Sequence, residues 1–63
     1  MNEATERTLA AMLEIIRDNP GVRPSELNRL LNRVQSDSLR AVLIRRGLVR
    51  KMKKDQATHL YAT

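Results

Sequence analysis

The 63-residue chain contains no cysteine, no phenylalanine and no tryptophan, and Tyr61 is its single aromatic residue. Without cysteine, no disulfide can staple the chain and no thiolate zinc site can form. Without more aromatic side chains it lacks the stacking platform that readers of single strands and RNA use. No apolar run approaches the roughly 18 residues needed to span a bilayer, and no signal-peptide pattern opens the sequence. A soluble, cytoplasmic protein with no membrane association is the expectation. His59 is the sole histidine, with no cysteine and no carboxylate pair beside it. It predicts neither a metal site nor a catalytic dyad, and a position on a strand surface is expected for it. A glycine-rich phosphate loop, a nucleophile with an adjacent base and a carboxylate pair on one face are also missing. A chain this small offers little concavity for a substrate. The sequence therefore points away from an enzyme and calls for no cofactor.

What remains must fold on aliphatic side chains. The length predicts one domain over residues 1–63, and such a domain buries only about 60% of its unfolded surface. Stability then rests on a tight core of leucine, isoleucine, valine and methionine. Met12 and Met52 are expected to fill gaps in it.

The charge is unevenly placed. Residues 1–22 carry Arg7 and Arg17 against Glu3, Glu6, Glu14 and Asp18, a net −2. Residues 23–54 carry ten Lys and Arg against Glu26 and Asp37, a net +8, and Asp55 brings the total to +5. A basic excess confined to one part of a small fold is the footprint expected of a polyanion-binding surface.

Hydrophobic spacing divides the chain into elements. Met1 to Asp18 reads as a first helix, capped by Asn2 or Thr5, with Leu9, Met12, Leu13 and Ile16 on one face and Ile15 at its edge. Asn19-Pro20-Gly21 ends it. Val22 suits a very short strand, and Pro24 suits the first position of a second helix running to about Asn32. In that helix Leu27, Leu30, Leu31 and Val34 recur at helical spacing, and Val34 is expected to point inward across the turn Asn32–Gln35. A third helix is predicted from Ser36, as cap, to Arg46, stopped by Gly47. Leu39, Val42, Leu43 and the stem of Arg46 face the core, leaving Asp37, Ser38, Arg40, Ala41, Ile44 and Arg45 outward or on the flanks. Strands are predicted over Leu48–Met52 and Ala57–Ala62, joined by Lys53–Gln56. Leu48, Arg50 and Met52 fall on one side and Val49 and Lys51 on the other. Tyr61 is expected to pack this hairpin against the first helix.

Helix, short turn, helix is the frame of a helix-turn-helix. The segments Pro24–Leu27 (PSEL), Leu30–Leu31, Leu39–Arg50 (LRAVLIRRGLVR) and Ala57–Thr63 (ATHLYAT) resemble a winged helix-turn-helix of the bacterial MarR type. In size the chain is similar to the FaeA/PapI-like fimbrial regulators. The resemblance implies an α+β fold of three helices followed by a two-stranded wing, and a transcriptional regulator or co-regulator that binds double-stranded DNA in sequence-specific fashion. It places the helix 36–46 in the major groove and the basic wing 50–56 on the backbone. A second copy of the chain, or a larger DNA-bound regulator, is the partner it implies.

The candidate contacts sort by chemistry. Arg40 and Arg45 on the third helix could bind guanine bidentately or touch phosphate, beside Ser36, Ser38 and Ala41, whose small side chains suit a close approach. Arg50, Lys51, Lys53 and Lys54 suit phosphate contacts from the hairpin, and Arg23, Arg29 and Arg33 flank the second helix where they could clamp the backbone. Asp37 favours the start of the third helix electrostatically. A different class of function also fits: a winged helix that binds a protein, with Ile15 and Ile44 as anchors if they are exposed.

Overall fold

Three helices precede a two-stranded antiparallel hairpin in the computed structural model, which describes residues 2–63. The layout is α+β. Met1, placed by the sequence reading at the start of the first helix, lies outside the described residues.

Helix α1 (Glu3–Asp18) starts where Asn2 accepts a hydrogen bond from the Thr5 N–H at 2.8 Å, so Asn2 and not Thr5 is the cap. Glu3 and Glu6 sit in its first turn, toward the positive end of the helix dipole. Leu9, Met12 and Ile16 are buried, and Leu13 and Ile15 pack at the margin of the same core. The helix ends at Asn19, whose side-chain amide donates to the Ile15 carbonyl at 2.8 Å. Gly21 then turns the chain at φ 85°, a conformation that suits glycine.

Helix α2 (Pro24–Leu30) begins on Pro24 as expected but stops before the expected Asn32. Asn32 takes φ 56°, a left-handed value that asparagine tolerates better than most residues. This stop overturns one expectation. Helical spacing would bring Val34 under Leu27 only if the helix continued, and Val34 is instead 98% exposed. Ser36 turns inward in its place and is 3% exposed. Its hydroxyl donates to Asn28 Oδ1, and the Asn28 amide donates to the Val34 carbonyl at 3.4 Å. A polar clasp joins the second and third helices where an apolar lock was expected, while Leu31 packs, partly buried, against the core.

Helix α3 (Asp37–Arg45) has Ser36 at the cap position, but with its hydroxyl engaged by Asn28 the side chain does not cap. Val42 and Leu43 are buried, and Leu39 and Ile44 pack at the margin. Gly47 (φ 76°) closes the helix, donating its N–H to the Ile44 carbonyl at 3.0 Å.

The hairpin pairs β1 (Val49–Lys54) with β2 (Ala57–Ala62) in the register Val49↔Ala62 to Lys54↔Ala57. The strands are joined by two residues, Asp55 and Gln56, at φ 53° and 65°, in place of the expected four-residue link. Positive φ at both positions is the type I′ geometry, whose twist matches that of the strands. Partners across the ladder share a face, so Val49, Lys51 and Lys53 lie with Ala62, Leu60 and Thr58. Arg50, Met52 and Lys54 lie on the other face with Tyr61, His59 and Ala57. Val49 and Leu60 are core residues. Met52 is not: it is 48% exposed, and its sulfur accepts a hydrogen bond from Arg50.

Val22 forms the expected extended contact as a single bridge to Leu60. The Leu60 N–H donates to the Val22 carbonyl at 2.9 Å, and the Gly21 N–H donates to the Leu60 carbonyl at 2.8 Å. Strand β2 is thus held on one side by β1 and on the other by the α1–α2 connection. No helix of the described residues is long and apolar enough to cross a membrane.

Candidate nucleic-acid interface

Ion pairing separates the basic residues into two sets. Arg7 pairs with Glu3 and Arg17 with Glu14, both along α1. Arg29 pairs with Glu26, Arg40 with Asp37 and Arg46 with Glu6. Among the described residues, Arg23, Arg33, Arg45, Arg50, Lys51, Lys53 and Lys54 have no carboxylate at ion-pair distance. Every one of these lies between positions 23 and 54. They can meet an anion without first breaking an internal salt bridge.

Two of the expected contacts do not have that freedom. Arg40 was expected outward or on a flank of α3 as a DNA contact, yet its side chain is only 16% exposed. Its guanidinium donates to Ser36 Oγ at 2.7 Å and to Asp37 Oδ1 at 2.8 Å. It therefore ties the start of α3 to the clasp below it. Ser36, expected at the DNA, is buried within that clasp. No sequence signal announces this, because spacing along α3 says nothing of Asn28, eight residues before Ser36. Arg29 is also engaged: hydrogen bonds from Arg29 hold the Glu26 carboxyl below its ordinary range, and Glu26 in turn raises the arginine.

The outward face of α3 is then Asp37, Ser38, Ala41 and Arg45, all exposed. Ser38, Ala41 and Arg45 follow the i, i+3, i+7 spacing of a single face. Ile44, half-buried, packs against the core. One flank of the helix borders a cleft of about 280 Å³ whose lining includes Ala41 and Ile44 of α3, Pro24 of α2, and Lys51 and Thr58 of the hairpin. The N-terminal end of the helix borders a hollow of about 310 Å³ that brings Arg33 and Gln35 beside Ser38. The fold thus gathers Arg33, Ser38, Ala41 and Lys51 around α3, although they are spread over the sequence.

The hairpin register divides the remaining cations. Lys51 and Lys53 share the face of Val49 and Leu60, which continues toward α3 along the cleft, whereas Arg50 and Lys54 lie on the opposite face. The Arg50 guanidinium lies 5.2 Å from the centre of the Tyr61 ring, within cation–π range. Tyr61, expected to pack against the first helix, sets its hydroxyl over Gly21. A Cβ at that glycine would lie 3.3 Å from it. His59 is half-buried and not a free surface residue: its Nδ1 lies 2.9 Å from the Gly21 carbonyl and donates to it. Among the described residues no group of acidic, histidine or cysteine side chains could hold a metal ion.

No known protein family, curated protein or solved structure matches the chain.

Proposed function

We propose that the chain is a winged helix-turn-helix that binds double-stranded DNA and acts as a transcriptional regulator or co-regulator. In this reading α3 enters the major groove and the β1–β2 hairpin is the wing. The observation that carries it is the confinement of every unpaired cation among the described residues to positions 23–54, around and beside α3. With its side chains an α-helix is about 10–12 Å across, which suits a major groove about 12 Å wide, and nine-residue α3 offers it about 13.5 Å of length. Arg45, Ser38 and Ala41 would face base edges, and Arg23, Arg33, Lys51 and Lys53 would meet phosphates. Two copies on a palindrome, or one copy beside a larger DNA-bound protein, would raise the affinity of so small a domain.

The competing protein-binding reading rested on exposed Ile15 and Ile44 as anchors. Both pack against the core, which leaves that reading without them.

The test is an amide-shift NMR titration with random-sequence duplex DNA at two salt concentrations. Salt-sensitive shifts on residues 37–45 and 50–54 are expected. If four to seven phosphates are contacted, log affinity should fall against log salt with a slope of roughly −4 to −6. An affinity indifferent to salt, or shifts confined to α1, would end the proposal.

A further inference from the structure

The outer face of α1 carries a charge pattern that the DNA reading does not use. Glu3, Arg7, Ala10, Glu14 and Arg17 are all exposed and recur at spacings of four, three, four and three, so they form one stripe along the helix. Read from either end, the stripe has opposite signs at matching positions about Ala10. At 1.5 Å per residue, Glu3 and Arg17 each lie about 10.5 Å from Ala10, on opposite sides. Arg7 and Glu14 lie about 4.5 and 6 Å from it on the same reckoning. Within one helix Arg7 already pairs with Glu3 and Arg17 with Glu14, each loosely at 3.6 Å and well exposed. A second α1 laid antiparallel with Ala10 on the two-fold axis sets Glu3 against Arg17 and Arg7 against Glu14, twice over, so each charge gains an opposite one across the axis beside its partner in its own helix. A parallel arrangement would oppose like charges at every rung.

Three further features point the same way. The stripe is electrically balanced, whereas residues 23–54 carry a net +8 and would repel a second copy. Its flank is apolar: a groove of about 180 Å³ runs beside Ala10 and Leu13 to Leu48, which is 37% exposed. Ala10, on the axis, is small enough for close approach of two helices, and Leu13 of one copy falls beside the stem of the other's Arg7.

We infer that the outer face of α1 is an isologous docking surface for a second copy of this chain, with the two α1 helices antiparallel and Ala10 on the two-fold axis. The inference does not depend on DNA binding.

Sedimentation equilibrium and a cysteine crosslink test it. The chain has no cysteine of its own, so Ala10→Cys places one thiol on the axis. Expected are a mass that rises with concentration from 7.2 kDa toward twice that value, and air oxidation of Ala10→Cys to a disulfide dimer much faster than that of Arg7→Cys. Arg7→Glu alone should lower association at least tenfold, and so should Glu14→Arg alone. The double variant, with the pair exchanged, should restore it. Circular dichroism would check that each exposed substitution leaves the helix content intact. A monomer up to millimolar concentration overturns the inference. Equal crosslinking of the two cysteine variants, or single reversals that leave association unchanged, does so too.

Discussion

Arg46 grips Glu6 through two guanidinium nitrogens, at 2.9 and 2.7 Å, across 40 residues of sequence. The pair fastens the end of α3 to the first turn of α1, beside the groove that Leu13 and Leu48 line. Hydrogen bonds from Arg46 hold the Glu6 carboxyl below its ordinary value of 4.5, against a smaller opposing effect of burial. A carboxyl with a depressed folded-state pKa stabilises the fold above its unfolded value and loses that contribution as pH falls through the folded one. Glu6→Gln should therefore melt below the wild type at neutral pH, and the gap should close in acid below 4.5. Thermal melts at several pH values would show it. A gap that stays constant with pH would mean the ion pair contributes nothing that titrates.

Ser36→Ala removes the donor to Asn28 and the acceptor of Arg40 at a buried position. Leaving such groups unpaired costs about 1–3 kcal/mol. Urea unfolding should show that loss as a lower midpoint with an unchanged slope. A change within a few tenths of a kcal/mol would mean that water replaces the hydroxyl.

Arg40 and Arg45 should separate. Arg40→Ala breaks the tie to Ser36 and Asp37, so stability and DNA affinity should fall together. Arg45→Ala touches no internal bond and should leave the melting temperature unchanged while weakening DNA binding by about 1–3 kcal/mol if it reads a base. Parallel melting and anisotropy measurements on both variants distinguish the roles. Equal losses of stability would contradict the assignment.

What could be read from the sequence, and what could not, follows the range of the interactions involved. Pro24 as first residue of α2, Gly47 as stop and the alternation of β1 are local, and residue type alone decides them; for the cap of α1 it narrows the choice to Asn2 or Thr5, and the structure takes Asn2. The inward turn of Ser36 depends on Asn28, and the burial of His59 on Gly21, 38 residues away. No periodicity encodes those partners. Val34 misled because its spacing from Leu27 assumed a helix that Asn32 cuts short. The hairpin link misled because Asp55-Gln56 has no glycine to announce a two-residue turn. For the interface, the basic segment was legible, but the pairing that withdraws Arg29 and Arg40 from it was not.

That turn yields a prediction of its own. Gln56 sits at φ 65° with a side chain that disfavours it. Gln56→Gly should stabilise the protein by roughly 1 kcal/mol, and Gly47→Ala, at φ 76° with open space around it, should destabilise by a similar amount. Gly21→Ala should be worse than either, because Tyr61 must also move. Denaturant midpoints for the three variants give the order directly, and a Gly21→Ala variant no worse than Gly47→Ala would show that Tyr61 yields freely.

Leu60, fully buried and hydrogen-bonded to both Gly21 and Val22, belongs to β2, the last element of the fold in chain order. The core formed by α1 cannot close until that residue arrives, so the three helices have no complete core to fold onto before β2 is made. A nascent chain stalled at Thr58 should be cut freely by protease, whereas one only a few residues longer, once clear of the ribosome, should resist.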